Sequence, residues 1–187
     1  GNGLQTNGTL LNEDWAAILQ KYDWLVGLSL DGPEHIHDHY RRDKAGKGTH
    51  KKVESNGLML LQNGVATNVL ATLTDYSVKF PEETYNYFKS LGFTWMQFIP
   101  IVETHKSDPS KAAPFSVTAE QYGEFLCKIF DLWLADFRNG EPTTNVRHFD
   151  SVFYTYVGLE PPECTMMKEC GPYVVVEHNG NVYSCDF

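Results

Sequence analysis

Three cysteines, Cys164, Cys170 and Cys185, fall close together near the end of the 187-residue chain, and the last is followed directly by Asp186. Thiolates grouped in this way are the soft ligands that iron–sulfur clusters and structural zinc both require. A carboxylate beside such a ligand can act as a general base if it reaches a substrate proton. Spacing alone leaves three readings open: unrelated thiols in a reducing compartment, one disulfide with a spare thiol, or a metal or iron–sulfur site one ligand short of four. The fourth cysteine, Cys127, falls within a helical apolar pattern and reads as an inert small hydrophobe.

A second stretch with chemical potential is HIHDHYRRDKAGKGTHKK, residues 35–52. It carries Arg41, Arg42, Lys44, Lys47, Lys51 and Lys52 against Asp38 and Asp43, in a chain of net charge −9. The segment reads either as a solvated loop or as a contact for a small anionic ligand, while the overall negative charge argues against a nucleic-acid binder. His35, His37 and His39 have the residue types of a zinc site and, in an extended stretch, would project to one side; zinc binding is possible there, but nothing else nearby supports it and a metal site is not adopted. His105 and Asp108, in a long loop, are candidates to line a substrate cavity. Trp24, Trp95, Tyr76, Phe80, Phe93 and Phe98 read as packing residues rather than stacking platforms.

The elements that must position these residues alternate regularly. Residues 4–6 read as the end of a strand before the Asn7-Gly8 turn. Asn12 caps a helix over 13–21 with Trp15, Ile18 and Leu19 on its apolar face. WLVGLSL, 24–30, is a short apolar strand stopped by Asp31-Gly32-Pro33. Thr49 opens a helix to Gln62, ended by Asn63-Gly64. ATNVLATL, 66–73, is the next strand. Pro81, Glu82 and Glu83 begin a helix to about Ser90, and WMQFIP, 95–100, is a further strand. After the loop 101–117, the capping box Thr118-Ala-Glu-Gln121 starts a helix to about Arg138, with Phe125, Leu126, Ile129, Phe130, Trp133 and Phe137 inward. This order predicts an α/β fold with a parallel sheet covered by helices. A short helix is expected around 149–157, and a hairpin is expected from residues 173–177 and 182–184 about the Asn179-Gly180 turn.

The chain lacks an 18-residue apolar run, and GNGLQTNG has neither a basic start nor a hydrophobic signal core, which favours a cytoplasmic protein without membrane contact. A parallel array that opens on a strand end and closes just after Cys185 reads as the central piece of a larger protein.

Cys170, nine residues, Gly180, four residues and Cys185 resemble the opening CX9-15GX4C of the SPASM extension of radical S-adenosylmethionine (radical SAM) enzymes; Cys164, with fifteen residues before Gly180, fits the same spacing. LQTNGTLL, GLSLDGP and MQFIPI are similar to strand regions of the partial (β/α)6 TIM-like barrel of those enzymes. Residues 3–187 resemble the anaerobic sulfatase-maturating enzymes, the clostridial members above all. The resemblance implies that residues 1–140 are central and C-terminal barrel, 141–163 a linker with a short helix, and 164–187 the start of a SPASM domain with its antiparallel hairpin.

It further implies that Cys164, Cys170 and Cys185 ligate a first auxiliary 4Fe–4S cluster, whose fourth cysteine is not in this chain, and that Asp186 is the general base. Ser29 and Arg41 would hold S-adenosylmethionine, and Val102 would lie near the adenine. A hydroxyl and a guanidinium suit the methionyl carboxylate. Thr6 and Asn7, at the carboxyl end of a strand, are added because ligands of barrel folds lie there. The reaction implied is oxidation of a cysteine or serine in an unfolded sulfatase segment to Cα-formylglycine, with flavodoxin or ferredoxin as external electron donor. The CX3CX2C loop of the cleaving cluster does not occur among these residues, so activity is expected only of the full-length parent. Alternatives are another peptide-modifying radical SAM/SPASM maturase and a non-catalytic iron–sulfur or zinc scaffold.

Overall fold

The computed structural model describes residues 1–171 and 173–185. The chain divides into two compact units, Gly1–Val146 and Arg147–Phe187.

The first unit alternates strands and helices: β1 Asn2–Thr6, α1 Glu13–Lys21, β2 Trp24–Ser29, α2 Glu34–Tyr40, α3 His50–Gln62, β3 Thr67–Leu73, α4 Pro81–Ser90, β4 Trp95–Pro100, β5 Thr104–His105, β6 Asp108–Ala112, α5 Ala119–Ala135 and β7 Asn145–Val146. β1, β2, β3, β4 and β7 form one sheet in that order, and every pairing is parallel. Sequential parallel neighbours separated by helices are the βαβ arrangement expected from the sequence. Alternate residues sort the sheet's two faces. Val26 and Leu28, Val69, Ala71 and Leu73, and Met96 and Phe98 are buried. Ser29, Leu70 and Gln97 share the other, less buried face and are matched in register.

The caps follow the sequence signals. Asn12 Oδ1 accepts the Trp15 amide at 3.0 Å to start α1. Thr118 and Gln121 form the full capping box of α5. Pro81 stands in the first turn of α4, followed by Glu82 and Glu83 near its positive end. Gly57 lets α3 approach the sheet: a Cβ there would stand 2.7 Å from Leu28 Cδ2 and 3.0 Å from Phe93 Cζ.

Several expectations need correction. Residues 34–40 form helix α2 rather than an extended stretch, so the three histidines do not project to one side. His37 is buried, whereas His35 and His39 lie towards Tyr76. The segment 101–117 contains the antiparallel pair β5–β6. α1 buries Ala16 and Leu19 and leaves Trp15 and Ile18 about half exposed, so its inward stripe is rotated relative to the expected face. α5 ends at Ala135 and buries Phe125 and Ile129, with Phe130 more exposed. Cys127 is exposed and therefore is not a core residue. Phe93 and Phe98 do pack in the interior, but Trp95 is 50% exposed.

The second unit begins with α6, Arg147–Tyr156, continues through a 3-10 turn at Cys164–Met166, and ends with β8 Val175–Val176 paired antiparallel to β9 Val182–Tyr183. Gly180 turns the hairpin with φ 84°, a conformation that glycine adopts without a Cβ penalty. The expected hairpin is thus present, with shorter paired strands. Asp186 lies outside the described residues.

Candidate functional site

The parallel sheet gathers polar side chains near the carboxyl ends of its strands. Immediately after β2, Asp31 is buried, and its carboxylate is the hub of the site. Arg41, just beyond α2, donates from Nε to Asp31 Oδ2 at 2.5 Å and from Nη2 to Oδ1 at 3.0 Å. Such a two-point contact fixes a planar guanidinium in orientation as well as position. Arg41 Nη2 also donates to Thr72 Oγ1 at 3.2 Å, while Asp31 Oδ1 accepts the Thr72 amide at 2.9 Å. One residue of β3 therefore secures both partners.

His37 holds the pair from behind. Its Nδ1 accepts the Asp31 amide at 3.2 Å, and Nε2 lies 3.1 Å from Thr49 Oγ1, which itself donates to the Arg41 carbonyl at 3.1 Å. Because the Thr49 hydroxyl proton is committed to that carbonyl, His37 is the Nε2–H tautomer. Burial lowers its pKa from 6.5 to about 4, outweighing the attraction of Asp31, and the Arg41 charge acts in the same direction as burial. His37 is therefore neutral at ordinary pH.

Arg41 borders two cavities. A cleft of about 840 Å³ is lined by Arg41, Asn7, Thr9, His37 and Arg42 together with the basic segment, and a smaller pocket of about 230 Å³ by Arg41, Asp31, Thr72, Thr74, Ile101 and Phe115. The structure thus brings Asn7 and Arg41 to one cleft. Thr6 contributes to the adjoining turn: its Oγ1 accepts the Gly8 amide at 3.1 Å, and Asn7 Oδ1 accepts the Thr9 amide at 3.1 Å. Ser29 ends β2 on the less buried face. Val102, 73% exposed, follows Ile101 beyond β4.

The remaining candidate groups have other partners. His35 Nε2 is 2.9 Å from Glu83 Oε1, and His39 stacks on Tyr76 with centroids 3.8 Å apart. His105 Nδ1 accepts from the Ser107 amide at 3.3 Å, and Asp108 pairs with Lys111 at 2.8 Å.

In the second unit Cys164 and Cys170 are exposed and Cys185 is half-buried. Tyr173 belongs to the same unit. Its hydroxyl is pushed up to about 12 by a hydrogen bond to Cys164 first, and then by the charges of Cys164, Cys185 and Cys170. Among the described residues no group of three His, Cys, Asp or Glu side chains forms a ready metal site. By donor chemistry the three thiols fit a partial ligand set for a thiophilic cluster, short of the usual four.

The sequence marks Arg41 as a cofactor contact and His37 only as one of three histidines weighed for zinc; it gives Asp31 and Thr72 no site role. Asp31 was legible only as a turn residue; an acid directly after a strand, ten residues before an arginine, is the available signal.

The parallel β-sheet flanked by helices matches a partial radical SAM (β/α)6 barrel, and the antiparallel β8–β9 hairpin is consistent with a SPASM-type segment. No protein-family model matches the chain. It is 40% identical to a serine-type anaerobic sulfatase-maturating enzyme of Bacteroides thetaiotaomicron, over 99% of this chain and 47% of that protein. It is 38% identical to a cysteine-type anaerobic sulfatase-maturating enzyme of Clostridium novyi, over 98% of this chain and 49% of that protein. A solved structure of native anSMEcpe with bound AdoMet and Cp18Cys peptide superimposes with a TM-score of 0.89 at 36% identity, covering 99% of this chain and 51% of that one. The chain belongs to the anaerobic sulfatase-maturating enzymes of the radical SAM/SPASM type, and it spans about half the length of the curated relatives it matches.

Proposed function

We propose that this chain forms the central part of an enzyme that oxidises a cysteine or serine of an unfolded sulfatase segment to Cα-formylglycine. The observation that carries the reading is the near-complete match, over 99% of this chain, to a relative whose structure contains AdoMet and a peptide. S-adenosylmethionine bound at a 4Fe–4S cluster supplies the one-electron chemistry that takes a hydrogen from the substrate β-carbon.

The chain's own groups serve binding and proton transfer. Arg41 receives the methionyl carboxylate of S-adenosylmethionine. Its Nε and Nη2 are already engaged by Asp31, whereas Nη1 has no hydrogen-bond partner among the described residues. Two N–H groups on that nitrogen remain for an anion. Ser29 offers a hydroxyl to the same amino-acid portion, Val102 an apolar contact to the adenine, and Thr6 and Asn7 complete the strand-end rim. Cys164, Cys170 and Cys185 supply three thiolates to the first auxiliary 4Fe–4S cluster. Asp186 would take the thiol or hydroxyl proton of the substrate once the β-hydrogen is gone, the remaining electron of the two-electron oxidation would pass to an auxiliary cluster, and with cysteine as substrate water would then replace the sulfur, which leaves as sulfide. The four cysteines of the chain contain no CX3CX2C arrangement, so we assign the ligands of the cleaving cluster to the rest of the protein. We place the enzyme in the cytoplasm, with an external donor such as flavodoxin or ferredoxin. Residues 1–140 are assigned to the barrel, 141–163 to a linker and 164–187 to the SPASM segment.

The test is anaerobic incubation of reconstituted full-length protein with S-adenosylmethionine, reductant and sulfatase peptides carrying cysteine or serine. Mass spectrometry should detect formylglycine in at least one peptide. Crosslinked products from other precursor peptides, with neither sulfatase peptide modified, would reassign the chain to a different maturase activity.

A further inference from the structure

Arg41 is useful to a carboxylate only if its free edge is presented in a fixed direction. An unrestrained arginine must lose side-chain freedom when it binds, and that loss subtracts from affinity. Here the restraint exists before any ligand arrives. Asp31 takes two guanidinium nitrogens, Thr72 Oγ1 takes a second contact from Nη2, and Asp31 is itself fixed by the Thr72 amide and, through its own amide, by His37. His37 is 0% exposed and Asp31 6% exposed, so the hub is held in the protein interior while Arg41 borders both cavities.

Asp31 also has an opposing effect. Its negative charge neutralises Arg41 and would by itself weaken attraction for an anion. Conversion of Asp31 to a neutral residue therefore separates two roles: a competitor for the guanidinium, whose loss tightens ligand binding, and an orienting group, whose loss weakens it.

We propose that Asp31 is a positioning residue for cofactor recognition, supported by His37 and Thr72, which engages Nε and Nη2 of Arg41 so that Nη1 is the edge offered to the carboxylate of S-adenosylmethionine. The inference rests on the assignment of Arg41 to that carboxylate. Asp31 acts only through Arg41 and touches no reacting atom.

The test compares two ligands on cluster-reconstituted full-length protein by calorimetry: S-adenosylmethionine and its decarboxylated analogue. Asp31→Asn should weaken S-adenosylmethionine about tenfold, the scale of one charge-assisted hydrogen bond, and leave the analogue's affinity within about twofold of wild type. Thr72→Val, which removes one acceptor from Nη2 and retains the β-branched shape, should weaken S-adenosylmethionine alone by about threefold. It provides the decision if Asp31→Asn does not fold. Equal losses for both ligands would reduce the network to general scaffolding, and tighter S-adenosylmethionine binding would make Asp31 a competitor; either result overturns the proposal. Arg41→Ala separates the layers. If it weakens both ligands equally, the underlying carboxylate assignment fails. If it weakens S-adenosylmethionine selectively and neither other variant does, only the positioning role fails.

Discussion

His37 illustrates how one residue's chemistry follows from its place. Burial keeps this imidazole neutral, and the interior accommodates it because both ring nitrogens have partners, the Asp31 amide on one side and Thr49 on the other. In the unfolded chain it takes a proton near pH 6.5, but in the fold only near 4. Between those values the unfolded state binds more protons, so this residue's contribution is complete above about pH 6.5 and is lost as pH falls towards 4. The shift corresponds to about 3 kcal/mol. Urea unfolding at pH 7.5 and 4.5 should show wild-type stability falling by an amount of that order from this source, and a smaller fall in a folded His37→Gln variant. Identical pH dependence in the two proteins would contradict the assignment. Sequence alone could place Arg41 among charged candidates, but burial decides which histidine of the three is neutral and which acid is a hub, and burial is a tertiary property.

At the scale of elements, the join between α2 and α3 depends on one carboxylate. Asp38 Oδ1 accepts the amides of Thr49 and His50, each at 2.8 Å, and so caps α3 from the preceding helix. Gly48 makes the approach possible, since a Cβ there would stand 2.0 Å from Asp38 Oδ2. Asp38→Ala should cost about 1–2 kcal/mol of stability, and Gly48→Ala should cost a similar amount by displacing the same cap. Denaturation midpoints of the single and double variants test this; the two losses should be less than additive because they remove one interaction. Full additivity would show two independent effects. The parallel strands β2, β3 and β4 are legible because they are short apolar runs bounded by Gly, Asn or Pro. α2 is not, because Pro33 and a polar seven-residue sequence imitate a loop, and only packing of Ile36 and His37 makes it a helix. β7, with two residues, is defined by its pairing to Trp95 and Met96 and has no sequence signal of its own.

For the whole molecule, fold and chemistry divide between the two units. The first offers a guanidinium in a braced setting at the strand ends, and the second carries the three thiols, Cys164 and Cys170 exposed and Cys185 half-buried. The parallel order and the final hairpin could be read from the chain, as could the clustering of cysteines; the bracing network could not, because its members are separated by up to 41 residues. If the thiols serve one cluster, replacing Cys164 with alanine in the full-length protein should lower iron and acid-labile sulfide by the content of that cluster. Unchanged iron and sulfide would remove Cys164 from the ligand set. The most direct measurement of the central claim is formylglycine formation by anaerobically reconstituted full-length wild type and Asp186→Asn, with iron content determined on the same samples. The account predicts formylglycine from the wild type and, in the variant, retained iron with a rate lowered by about 10²-fold or more. No formylglycine from the cluster-loaded wild type, or an undiminished rate in Asp186→Asn, would contradict it.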